Sequence, residues 1–186
     1  LDALGQRAQI CGAASASYIH HPEVIHGVES GDIQHIQSGQ KLNIERLLLR
    51  QPDLILTTNI GEGQMDVSPQ LQRAGLPVVL TADYMEHHPL ARTEWLKFLA
   101  AFFETEDRSN EIFNSIKAQY TGLLDKTKGI DERPSVFCGA PYSGSWHVPG
   151  GDSFIARAIQ DAGAHYLWAD DPSRGSLPLD TERVFL

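Results

Sequence analysis

The stretch from Asp107 to Lys126 constrains this chain more than any other. Ile112, Phe113, Ile116, Tyr120, Leu123 and Leu124 recur at three- and four-residue spacing, which places them on one face of a helix. Asp107, Arg108, Asn110, Glu111, Lys117 and Lys126 fill the other face. A β/α pattern precedes this helix and another begins after it. The expectation is therefore an α/β fold of two lobes with parallel-type sheets, bridged by one long α-helix. A stiff bridge flexes little and leaves a cleft between the lobes, which suits capture of a bulky ligand better than multistep chemistry.

The expected domains are an N-terminal α/β lobe over 1–88, a helical region over 89–130 that includes the bridge, and an incomplete C-terminal α/β lobe over 131–186. At 186 residues the chain can bury one good core or two small ones. A net charge of -9, with no Lys/Arg stripe, argues against a nucleic-acid partner. No apolar run reaches the roughly 20 residues that span a bilayer. Cys11 and Cys138 lie in strand-like runs of different halves, and the reading is two small apolar side chains rather than a disulfide.

Along the first half, Gln9–Ala13 reads as a short strand. Asn43 is a good N-cap for a helix over Ile44–Arg50, which Pro52 ends. Asp53–Thr57 is apolar on both faces, as buried parallel strands are. A helix stopping at Ala74 with Gly75 behind it leads to the strand Pro77–Leu80. This alternation with short connections predicts a parallel sheet. In the second half Pro89 opens a helix to Phe103, with Ala91, Trp95, Phe98, Leu99 and Phe102 as its apolar stripe. After the long helix come a strand at Ser135–Cys138, a Gly/Pro/Ser-rich loop and a strand at Trp146–Val148. Ser153 caps a helix running to about Ala162, and Tyr166–Trp168 reads as a last strand.

In open parallel sheets, ligands sit beyond the carboxyl ends of the strands. That rule selects Tyr18, His20 and His21, then Thr58, Asn59 and Glu62, then Tyr84, Glu86 and His87, then Tyr142, Ser143 and Trp146. Aromatic side chains there can stack on a flat or apolar ligand at low entropic cost. Each has a plainer reading as loop or core packing. The eight histidines raise a bare-metal alternative, built on His20 or His21 with Glu86 or His87. Adjacent histidines point apart, however, and HxH and HExxH are absent. GxSxG and GxGxxG are absent too, so an α/β enzyme using the same cleft is the weakest alternative.

LNIERLLLRQPDLILTTN resembles the first-lobe stretch of the class III periplasmic substrate-binding proteins, through Asn43, Glu45, Leu48, Pro52 and Asp53. AGLPVVLT is similar to the strand that follows in that family. GSWHVPGGDSFIARAIQDAGAHYLW resembles its second-lobe segment, and HPLARTEWLKFLAAFF the start of its interlobe region. These proteins are receptors of ABC importers for ferric siderophores, haem and vitamin B12. The resemblance implies two α/β lobes bridged by a helix, with this chain a fragment lacking the first strand and the C-terminal part.

It further implies a non-enzymatic solute-binding protein, without a cofactor or resident metal of its own, whose ligand is an iron or cobalt chelate. A ferric siderophore or haem is favoured over cobalamin. The implied location is periplasmic or lipid-anchored outside the cytoplasm. The partners are a membrane permease and the small chelate, with no nucleic acid, and the protein is a monomer. Ligand contacts would come from Tyr18, His20, Asn59, Tyr84, Glu86, Tyr142 and Trp146. In the family, one acid per lobe docks on permease arginines. The positions here are Glu62 or Asp66 in the first lobe and Gln160 with Asp161 in the second, where Gln160 departs from the family's glutamate.

Overall fold

The structure, a computed structural model, describes residues 1–14, 18–38, 41–59, 66–180 and 182. It is α/β, as expected, and the chain divides into two compact units, Leu1–Ala82 and Asp83–Leu186.

In the first unit, strand β1 (Gly12–Ala13) pairs in parallel with β2 (Gln34–His35), with helix α1 (Pro22–Ser30) crossing between them. A small antiparallel pair, β3 (Gln37–Ser38) and β4 (Lys41–Leu42), leads into helix α2 (Ile44–Arg50). The Asn43 carboxamide oxygen accepts from the Arg46 amide at 2.9 Å, the cap that the sequence called for. Strand β5 (Ile55–Thr58) then pairs in parallel with β6 (Val78–Thr81) across helix α3 (Ser68–Arg73). Leu47, Ile55 and Leu71 are buried together, with Ile36, Leu42, Ile44, Val67, Leu76 and Val78 packed around them. Each strand–helix–strand step thus lays a helix face on its own strands. The expected strand over Gln9–Ala13 is shorter. Arg7–Gln9 forms a 3₁₀ turn, where Arg7 is held by ion pairs to Asp2 at 2.8 Å and to Glu23.

The second unit opens with a 3₁₀ turn at Asp83–Met85 and contains helices α4 (Pro89–Ala100) and α5 (Glu106–Thr127). Helix α5 matches the long periodic stretch almost residue for residue. Its apolar face is only partly covered: Phe113 is buried, while Ile116 and Leu123 are exposed. Strand β7 (Ser135–Val136) pairs in parallel with β10 (His165–Tyr166). A three-stranded antiparallel sheet runs in the order β11 (Ser176–Asp180), β9 (Ser145–Pro149), β8 (Ala140–Tyr142). Ser143 and Gly144, both at positive φ (51° and 85°), make the two-residue turn between β8 and β9. Helix α6 (Phe154–Asp161) begins where the Ser153 hydroxyl accepts from the Ala156 amide at 3.2 Å.

Candidate ligand-binding site

The second unit contains a cavity of about 660 Å³ whose walls come wholly from that unit. Three segments build most of it, with Gly139 lying against β9 as a further wall residue. The first is the connection into α4, which supplies Tyr84, Met85, Glu86 and His87, with Arg92 one turn into the helix. This connection is pinned to α4 at several points. The His88 Nδ1 accepts from the Leu90 amide at 3.1 Å, the Glu86 carboxylate accepts from the Trp95 indole N–H at 3.0 Å, and Arg92 Nε lies 3.4 Å from the Asp83 carboxylate.

The second segment is the end of β9 and the start of α6, contributing His147, Val148, Asp152, Phe154 and Ile155. The third is the loop into β11, with Arg174 and Ser176. Glycines let these two lie against each other. A Cβ on Gly150 would fall 2.1 Å from Ser173 Oγ, and one on Gly151 would fall 2.4 Å from the Trp168 carbonyl oxygen. The Gly150 amide donates to the Gly175 carbonyl at 2.8 Å, and the Asp152 amide to the Ser173 carbonyl at 3.0 Å. The backbone thereby carries Arg174 up to Asp152.

Asp152 is the electrostatic centre of this wall. Its Oδ2 accepts from Arg174 Nε at 3.0 Å and lies 3.4 Å from His87 Nδ1. The Arg174 hydrogen bond, and after it His87, hold the Asp152 carboxyl below its ordinary range. Opposite in character is the apolar wall of Met85, Val148, Phe154 and Ile155, with the Arg92 guanidinium 5.3 Å from the Phe154 ring centroid. The arrangement offers apolar surface for a ring system and cationic donors at its edge. Ser176 Oγ lies 3.5 Å from His147 Nδ1, and both residues line the cavity.

Of the residues selected from sequence, Tyr84, Glu86 and His87 line this cavity. Tyr142 is exposed on β8, its ring centroid 6.1 Å from that of the cavity-lining His147. Trp146, the neighbour of His147 on β9, is half-buried with its ring 6.3 Å from Phe137, and it is not a wall residue of the cavity. In the first unit Tyr18 is 81% exposed and His20 is exposed. There the Asn59 amide nitrogen donates to Ser68 Oγ at 2.8 Å, tying the end of β5 to α3. Glu62 lies outside the described residues. Asp66 precedes α3 and is half-buried, and Gln160 is exposed on α6. Asp161 is engaged internally: its carboxylate accepts from the Tyr120 hydroxyl and from Arg157 Nε at 3.0 Å, joining α6 to α5. Cys11 and Cys138 are free thiols. Among the described residues, no three His, Cys, Asp or Glu side chains gather closely enough to hold a metal ion.

Arg92, Asp152 and Arg174 line the cavity without having been selected from the sequence. The signal available was the Pro149-Gly150-Gly151 run, since adjacent glycines mark a close backbone approach.

The periplasmic binding protein family profile matches residues 1–185. Among curated relatives, an uncharacterized lipoprotein of Methanocaldococcus jannaschii is 26% identical over 155 residues, covering 82% of this chain and 36% of the relative. The chain thus spans well under half the length of that protein. Among solved structures, a possible iron-binding periplasmic solute-binding protein of Staphylococcus epidermidis superposes with a TM-score of 0.72 at 20% identity, over 99% of this chain and 67% of that one. The apo periplasmic heme-binding protein RhuT of Roseiflexus sp. RS-1 gives 0.72 at 22% identity, over 98% and 66%. Identities this low establish the fold alone, and the fold agrees with the motifs around Asn43 and Asp161. The profile match over nearly the whole chain makes it a member of the periplasmic binding protein family.

Proposed function

We propose that this chain is part of the solute-binding protein of an ABC importer, and that it captures a chelated metal and delivers it to a membrane permease. The observation that carries this reading is the cavity of about 660 Å³ in the second unit, lined by the apolar Met85, Val148, Phe154 and Ile155 together with Arg92 and Arg174. That volume lies within the usual range for small-molecule sites, about 300–1,000 Å³. A ferric siderophore or haem suits such walls better than cobalamin, because both offer flat or aromatic surface with acidic oxygens at the margin. Family membership supports the transport role, and the likeness to iron- and heme-binding proteins supports the ligand class. Tyr84 and Glu86 contact the ligand from the wall, with Tyr142 beside His147 at its edge. Tyr18, His20, Asn59 and Trp146 are secondary candidates. Asp66 and Gln160 are the candidates for presenting the loaded receptor to the permease. An extracytoplasmic location follows from the family. Among the described residues no helix is long and apolar enough to cross a membrane.

The test is a fluorescence titration of the chain with ferric protoporphyrin IX, a ferric tricatecholate and cyanocobalamin. Trp95 reports directly, since its indole N–H is bonded to the wall residue Glu86 at 3.0 Å. The expected result is saturable quenching by one of the iron chelates at about micromolar concentration or tighter. Absence of binding to every chelate below about millimolar would contradict the proposal.

A further inference from the structure

His87 and His88 follow one another on the connection into α4, yet they are tied to different elements and in opposite ways. The His88 Nδ1 accepts from the Leu90 amide at 3.1 Å and so caps the first turn of α4. A ring nitrogen that accepts a hydrogen bond carries no proton, so this cap exists only in neutral His88, with its proton on Nε2. Protonation sets an N–H against the Leu90 N–H and a positive charge at a helix N-terminus, and both are unfavourable. His87 Nδ1 lies instead 3.4 Å from the Asp152 carboxylate just before α6, a pairing that the protonated ring strengthens. Asp152 is ionised to receive it, because the Arg174 hydrogen bond, and after it His87, holds its carboxyl below the ordinary range.

Both rings line a second, polar cavity of about 250 Å³ together with Gly151, Asp152, Ser153, Arg157 and Gln160. The charged groups on the elements around them are engaged with one another. From α5, Tyr120 meets the His88 ring edge-on with centroids 5.8 Å apart, and its hydroxyl, pushed up to about 12 first by burial, keeps its proton throughout the histidine range. From α6, Arg157 Nε bonds the Asp161 carboxylate at 3.0 Å, and that carboxylate also accepts from the Tyr120 hydroxyl. Along the connection, Glu86 accepts from the Trp95 indole at 3.0 Å, and Asp83 lies 3.4 Å from Arg92 Nε. We infer that His87 and His88 form a pH-sensitive latch on the ligand cavity: neutral His88 fastens the connection to α4, and acidification releases that fastening while charged His87 draws the same connection towards Asp152. Tyr84, Met85, Glu86 and His87 of this connection line the ligand cavity, so its wall changes anchorage as protons bind. Histidine changes charge between about pH 5 and 8, which sets the window. The consequence for a ligand rests on the importer reading above: the chelate is held less tightly at the acid end.

The experiment follows exchange of the Leu90 amide in the free full chain by NMR at about pH 5 and pH 8, each corrected for the intrinsic rate at that pH. In wild type the protection at the upper end is expected to fall about tenfold at the lower end. H88N replaces the imidazole by a cap that does not titrate, so it should keep the protection at both ends, and H88A should lack it at both. H87Q removes the acid-side anchor, so at the lower end residues 84–87 should exchange about threefold faster than in wild type. Equal wild-type protection of Leu90 at both ends, or an equal fall in H88N, would overturn the inference. Ferric protoporphyrin IX is then titrated at both ends by visible absorption. Wild type is expected to bind about fivefold more weakly at the lower end, and H88N to bind within about twofold at both. A pH dependence of binding shared by wild type and H88N would overturn the latch as a control on the cavity while leaving the importer reading intact. Failure of the chelate to bind at either pH would count against the importer reading, whereas the latch stands or falls on the exchange of the free chain.

Discussion

Tyr166 is fully buried, and its hydroxyl donates to the Pro149 carbonyl at 2.5 Å, which ties β10 to the end of β9 where the cavity wall begins. Removing that hydroxyl in Y166F leaves a buried carbonyl unpaired and is expected to cost about 1–3 kcal/mol, read by urea denaturation. Burial pushes the Tyr166 hydroxyl from 10.0 to about 12. Burial, then the hydrogen bond to Asp161, does the same to Tyr120, again to about 12. The folded state therefore keeps protons that the unfolded chain releases. This stability is fully present below pH 10 and lost as pH rises from 10.0 towards about 12. Denaturation midpoints measured up that alkaline range should fall for the wild type and fall less steeply for Y120F with Y166F. At Gly151 an added Cβ would meet three carbonyl oxygens between 2.4 and 2.6 Å away. G151A should accordingly lower the melting temperature and disturb the cavity together, whereas G122A on open helix surface should do neither. Tyr84, Glu86 and His87, which line the cavity, were legible as candidates because they follow a parallel strand. Arg92, on the polar side of its helix, and Arg174, beyond the last element that the pattern revealed, looked like ordinary solvated cations. Only the backbone folding at Gly150 and Gly151 brings Arg174 to Asp152.

Helix starts were the most legible elements, because a cap is a local chemical event. Asn43 and Ser153 each accept from an amide three residues on, at 2.9 and 3.2 Å, as their place before an apolar run implied. S153A should cost about 0.5–2 kcal/mol, measured by thermal or urea unfolding, and loosen the end of α6 that faces the cavity. The parallel pair β5–β6 was legible for the same reason: two continuous apolar runs flank a capped helix. Its core is tightly closed, with Leu71 at 1% exposure, so L71A should destabilise by about 2–5 kcal/mol. The antiparallel sheet was the least legible. Strand β8 carries Pro141 and β11 carries Pro178, and proline argues against a strand wherever a ladder donor is needed. Both lie at the edges of the sheet, flanking β9, where a missing donor is tolerated. The periodic face of α5 also promised more burial than occurs, since periodicity says which side chains share a face and nothing about how much of that face is covered.

At the scale of the molecule, the family follows from motifs spread through both units, and the profile match over residues 1–185 agrees with it. The chain matches about two thirds of the solved chains and a smaller share of the archaeal lipoprotein, so the transport role of the whole protein is a proposal. What the second unit contributes is specific: a cavity with an apolar wall, Arg92 3.4 Å from Asp83, and a carboxylate, Asp152, between Arg174 and His87. Amide hydrogen exchange with and without ferric protoporphyrin IX at saturation tests this most directly. The account predicts slowed exchange in the second unit at 84–92, 147–155 and 174–176, with the ends of α5 unchanged. Protection that spares all three segments, or no protection at saturating chelate, would contradict the assignment of this cavity as the ligand site.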